Sequence, residues 1–100
     1  RDFVFVEDIV KANMLAATQP AAVGEIFNIA TGKGNSIEQL AAIIKQINGR
    51  KSPIVYADHR AGEIRYSQAD INKVKKLLGY NPQTNLKEGL LLIWKEMTNE

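Results

Sequence analysis

Val6, Ile9, Val10, Met14 and Ala17 fall on one stripe at helical spacing, with Glu7 and Asp8 in the first turn where negative charge suits the helix dipole. This run should stop near Gln19-Pro20. From Gly24 to Ala30 the period shortens: apolar residues alternate, two are β-branched isoleucines, and Thr31-Gly32-Lys33-Gly34 closes the stretch, which predicts a strand. Ser36 then stands three residues before Gln39 as in a capping box, and Leu40, Ile43, Ile44 and Ile47 return to the helical period until Asn48-Gly49. Pro53-Ile54-Val55-Tyr56-Ala57 reads as a second strand. A helix between two strands favours a parallel pair, since a hairpin needs only a short turn. Asp70 is placed to cap a third helix through Ile71, Val74, Leu77 and Leu78, closed by Gly79. Asn85, with Glu88 three residues on, opens a fourth carrying Leu86, Leu90, Ile93, Trp94 and Met97. The expected architecture is an α/β unit of about four helices and a short parallel sheet of two to three strands.

Composition narrows the function classes. The 100 residues are 45% hydrophobic and 24% charged, the balance of a globular chain that forms one compact unit. There is no cysteine and one histidine, His59, which removes disulfides and thiol catalysis and argues against a zinc or non-haem iron centre. A net charge of +2 is no nucleic-acid footprint, and the cluster Lys73, Lys75 and Lys76 has no interleaved aromatic residue. Leu90 to Trp94 is the longest apolar run, far short of a membrane span, and no signal peptide is visible. The chain opens at Arg1 without an initiator methionine and goes straight into Phe3-Val4-Phe5-Val6, so it reads as a fragment of something longer.

Candidate chemistry gathers in His59-Arg60-Ala61-Gly62-Glu63-Ile64-Arg65-Tyr66-Ser67-Gln68-Ala69-Asp70, between an expected strand and an expected helix. Arg60, Gly62 and Glu63 put a planar cation and an acceptor on one tight turn. A guanidinium fork matches phosphate oxygens, and a carboxylate accepts two hydrogen bonds from a vicinal diol, so the turn suits a sugar phosphate; the bland alternative is a solvated loop. Thr31-Gly32-Lys33-Gly34-Asn35-Ser36 imitates a dinucleotide loop, but Ile37 stands where the third glycine belongs. His59 has no nucleophile in a recognisable relation to it and reads as a surface residue. Tyr56 and Tyr66 lack a lysine four positions on and read as packing residues.

Five segments, taken in order, resemble the last part of the NAD-dependent nucleotide-sugar epimerases and dehydratases, the extended short-chain dehydrogenase/reductases. They are Arg1-Asp2-Phe3-Val4-Phe5-Val6-Glu7-Asp8-Ile9-Val10, Glu25-Ile26-Phe27-Asn28-Ile29-Ala30 with Gly32, Gly34, Asn35 and Ser36, Arg60-Ala61-Gly62-Glu63, Ser67-Gln68-Ala69-Asp70-Ile71-Asn72-Lys73, and Leu78-Gly79-Tyr80-Asn81-Pro82 running on to Leu86-Lys87-Glu88-Gly89-Leu90. The likeness is strongest to UDP-glucose and UDP-N-acetylglucosamine 4-epimerases. By position it implies that Arg1 and Arg60 hold a substrate diphosphate, that Glu63 accepts from ribose hydroxyls in place of the usual Asp, and that Ile37 lies against the nucleotide. Phe3 stands where these epimerases often have Tyr, which keeps packing and loses a hydroxyl.

The resemblance also implies NAD as cofactor, a UDP-sugar as substrate, a cytoplasmic homodimer, and no nucleic-acid or membrane partner. The family's glycine-rich NAD loop and Tyr-x-x-x-Lys pair are not in these residues, so residues 1–100 are expected to be a nucleotide-sugar-binding domain that is inactive alone, with NAD held by a separate N-terminal domain. A dehydratase or decarboxylase would share this half, and a non-catalytic interaction module is the alternative from another class. Cutting at Arg1 should expose an apolar face and lead the isolated chain to self-associate.

Overall fold

The computed structural model describes residues 1–49 and 51–98. In order along the chain lie α1 (Val6–Thr18), a 3-10 turn (Pro20–Ala22), α2 (Ile37–Asn48), α3 (Asn72–Leu78) and α4 (Leu86–Thr98). The expected end signals operate at most of the helix ends. The Gln19 N–H bonds back to the Leu15 carbonyl where α1 stops. Ser36 and Gln39 form both halves of the capping box on α2, and Gly49 closes it with φ of +66°. The Glu88 amide donates to Asn85 Oδ1 at 2.8 Å to start α4. Asp70 acts one step early: its carboxylate accepts from the Asn72 amide at 2.9 Å while Ile71 occupies the cap position.

The two expected strands, 24–30 and 53–57, are not formed, and no β-ladder joins any of the described residues. A strand exists only by pairing its amides and carbonyls with a neighbour, and here side chains meet part of that demand instead. Lys73 Nζ donates to the Ile26 carbonyl at 2.8 Å and pairs with Glu25 at 2.9 Å, and its ammonium lies 5.1 Å from the Phe27 ring centre. Tyr80 Oη donates to the Ala30 carbonyl at 2.9 Å. The first segment is thus tied to α3 and the residues after it. The second is exposed throughout. Tyr56 Oη donates to Glu38 Oε1 at 2.8 Å, which tethers it to the first turn of α2.

The core is small. Ala12, Ala30, Ile71, Val74, Leu78 and Tyr80 are buried together, with Leu15, Ala22, Phe27, Ile29 and Ala69 packed around them. It joins α1, the 24–30 segment and α3. A second contact layer sets α2 against α4. Gly89 lets that side close up, because a Cβ there would stand 2.9 Å from Phe5 Cδ1.

Of the stripe Val6, Ile9, Val10, Met14 and Ala17, Ile9 is half-buried, and the packed face of α1 does not include Val6, Val10, Met14 or Ala17. Those residues are exposed, while Asp8 and Ala12 are buried. Burial of a carboxylate needs hydrogen bonds to offset lost hydration. Asp8 has them: Oδ1 accepts from the Gln83 amide at 3.0 Å and Oδ2 from the Thr84 amide at 3.2 Å, which pins the approach to α4. No helix among the described residues is long and apolar enough to cross a membrane.

Candidate functional site

Backbone and side-chain hydrogen bonds near the start of the chain build one wall of the candidate site. Asp2 accepts from the Thr31 amide at 2.9 Å, the Thr31 hydroxyl, and the Gly32 amide at 2.8 Å. Gly32 takes φ of +78°, and a Cβ there would press on Ile71 Cγ1 at 3.2 Å. One residue earlier, Arg1 and Asn35 exchange backbone hydrogen bonds: the Arg1 nitrogen donates to the Asn35 carbonyl at 2.9 Å, and the Asn35 amide to the Arg1 carbonyl at 2.7 Å. Arg1 is therefore held beside the N-terminus of α2, where Ser36 commits its hydroxyl to the Gln39 amide at 3.0 Å.

The opposite wall is the run from 59 to 68. Its turn is tight: the Glu63 amide donates to the Arg60 carbonyl at 3.2 Å, the Arg60 amide donates back to Glu63 Oε2 at 3.4 Å, and Gly62 has φ of +81°. Beyond the turn, Gln68 Nε2 donates to the Gly32 carbonyl at 2.9 Å and fastens the run to the first wall. Between the walls lies an open cavity of about 540 Å³. Arg1, Ile37 and Glu63 line it.

Two of the residues singled out by sequence lie elsewhere. Phe3 lines the gap beside Ile43 and Leu86 between α2 and α4, a packing position. Arg60 is exposed and outside the cavity's lining. His59, read as a surface residue, is exposed and also lines the cavity. Sequence reasoning assigned no role to Arg65, Ser67 or Gln68, all three of which do line it. The available signal was their place just past Glu63, in a run flanked by a turn and by the Asp70 cap.

The electrostatics favour an anion near a hydroxylated group. Arg1 and Arg65 both line the cavity, and neither has a carboxylate partner among the described residues. The amides of the first turn of α2 add partial positive charge from the same side. Glu63 supplies the acceptor. Ser67 and His59 both line the cavity, and no hydrogen bond joins them. At the edge of this region the Tyr56 phenol is raised above its ordinary pKa, first by its hydrogen bond to Glu38 and then by that carboxylate's charge.

Residues 1–92 match the GDP-mannose 4,6 dehydratase family. A putative UDP-glucose 4-epimerase of Methanocaldococcus jannaschii is 39% identical over 99 residues, covering 99% of this chain and 31% of that protein. An uncharacterised UDP-glucose epimerase of Bacillus subtilis is 39% identical over 90 residues, covering 90% of this chain and 28% of that protein. The chain thus spans about a third or less of the length of these relatives. Among solved structures, the UDP-glucose 4-epimerase of Thermotoga maritima with UDP-glucose aligns with a TM-score of 0.89 and 40% identity, over 100% of this chain and 32% of that one.

Proposed function

The chain belongs to the GDP-mannose 4,6 dehydratase family, and from that premise we propose that residues 1–100 are the C-terminal nucleotide-sugar-binding part of an NAD-dependent UDP-sugar 4-epimerase. The observation that carries the reading is the cavity that brings Arg1 and the start of α2 together with Glu63. Its substrate is a UDP-hexose such as UDP-glucose or UDP-N-acetylglucosamine. Arg1 and Arg60 hold the diphosphate, Glu63 accepts from the ribose hydroxyls, Ile37 lies against the nucleotide, and Phe3 keeps the wall behind them packed. Because Arg60 stands outside the lining, its contact requires the turn to swing inward. A segment exposed from 51 to 68 and tethered at Tyr56 and Gln68 permits such a swing.

These residues act on the reaction through position. Gripping the diphosphate fixes the nucleotide while the sugar presents one face or the other to the reacting groups, and remote binding energy spent on orientation lowers the barrier. The chain's own residues do not fit NAD. At the one Gly-x-Gly, Ile37 occupies the third glycine's place, and the space beside Gly34 is filled by Gln68 Oε1, 2.9 Å from where a Cβ would stand. NAD, which supplies the hydride chemistry, is held by another part of the protein.

Titrating the full-length protein with UDP by calorimetry, and assaying it with UDP-glucose and NAD, tests the proposal. Binding of UDP with inversion at C4 is expected. Absence of UDP binding would overturn the site, and a product deoxygenated at C6 would replace the epimerase with a dehydratase. The 100-residue chain given the same substrate and NAD should show no turnover above a mock purification.

A further inference from the structure

The cavity carries more positive charge than the residues assigned to it explain. Arg1 and Arg65 both line it, neither guanidinium has a carboxylate partner among the described residues, and Arg60, the second arginine in the assigned set, does not reach its lining. Two unneutralised cations on one concave surface repel each other and are best accommodated by an anion between them. Glu63 does not serve that purpose. One of its carboxylate oxygens, Oε2, already accepts from the Arg60 amide at 3.4 Å, and it pairs with neither arginine.

The run that carries Arg65 along the cavity wall is fastened on both sides of it in sequence. The Arg60–Glu63 turn stands before it, and Gln68, bonded to the Gly32 carbonyl, stands after it. Its guanidinium lies 5.8 Å from the Tyr66 ring centre, a contact that supports a planar cation and leaves its N–H donors available. We propose that Arg65 is a phosphate-binding residue of this site, facing Arg1 across the cavity so that the two guanidinium groups clamp a nucleoside diphosphate from opposite walls. The inference rests on the nucleotide-binding reading above and adds to it a residue and a geometry.

A residue that grips phosphate affects UDP and leaves uridine alone, and this contrast separates the inference from the reading beneath it. Calorimetry on the full-length protein with UDP and with uridine, for wild type, Arg65→Ala and Arg65→Lys, gives the decisive set. Loss of a charge-assisted contact predicts that Arg65→Ala weakens UDP binding roughly tenfold to a hundredfold, with uridine affinity unchanged. Arg65→Lys should recover part of the loss, since it restores charge without the fork. Unchanged uridine binding also serves as the check that the variant is folded. Equal UDP affinity in Arg65→Ala and wild type overturns the inference while the site itself stands, as does an equal loss for UDP and uridine. A wild-type protein that binds neither removes the nucleotide-binding reading and the clamp with it.

Discussion

At the scale of single residues, the informative side chains are those whose surroundings contradict their ordinary preference. Asp8 is fully buried, and its two oxygens answer the Gln83 and Thr84 amides. Tyr80 is 2% exposed, with its hydroxyl on the Ala30 carbonyl, and its phenol is raised above the ordinary value of 10.0, first by burial and then by the charges of Asp8 and Asp2. The sign follows from proton linkage. A phenol that holds its proton more tightly when folded contributes stability that is intact below pH 10, the unfolded value, and is lost as pH rises toward the higher folded value. Denaturant unfolding across that alkaline window should show stability falling in wild type and falling less in Tyr80→Phe. At neutral pH the same variant should be weaker by about 1 kcal/mol, because a buried carbonyl loses its donor. Arg60→Ala should weaken UDP binding by roughly 2–4 kcal/mol if the turn brings a charge-assisted contact into a partly dry site. Unchanged UDP affinity in a folded Arg60→Ala protein would leave the diphosphate to Arg1 and Arg65.

At the scale of elements, helices were legible because their determinants are local. Ser36 with Gln39, Asn85 with Glu88, and Gly49 and Gly79 past the last turns each act within a few residues, and each sits at the helix end its type predicts. Ser36→Ala should therefore cost about 1 kcal/mol in unfolding free energy by removing the acceptor for the Gln39 amide. A loss below a few tenths of that would mean α2 is held by its contact with α4 alone. Strands are different. Their alternating pattern at 24–30 describes a surface suited to pairing, but the partner backbone must come from elsewhere, and Lys73 and Tyr80 claim two of the carbonyls first.

For the whole molecule, the radius of gyration of 16.4 Å exceeds the roughly 13 Å of a compact 100-residue domain. The body is flat, 50 × 38 × 17 Å, and leaves large apolar side chains in water, among them Val10 and Met14 on α1, Ile26, and Val55. Exposed apolar side chains mark interaction surfaces where they join into a patch. The isolated 100-residue chain should form concentration-dependent dimers or larger species in sedimentation velocity, and a monomer at every concentration that binds no hydrophobic dye would contradict this.

The sequence by itself determined most of the helix ends, the tight turn at Gly62, and a motif order that places the chain in its family, because caps, positive-φ glycines and motif spacing depend on a few neighbouring residues. It also marked Arg1, Ile37 and Glu63, which the fold brings to one cavity although they stand far apart in the chain. Only the tertiary structure decided which face of α1 is packed, that Asp8 rather than the Val6–Val10 stripe goes inside, and that Arg65 joins Arg1 while Arg60 stays out. The physical reason is the same in each case. Apolar periodicity reports that a face wants cover, and charge reports that a group wants a partner, but which surface and which partner arrive is set by contacts between residues distant in sequence.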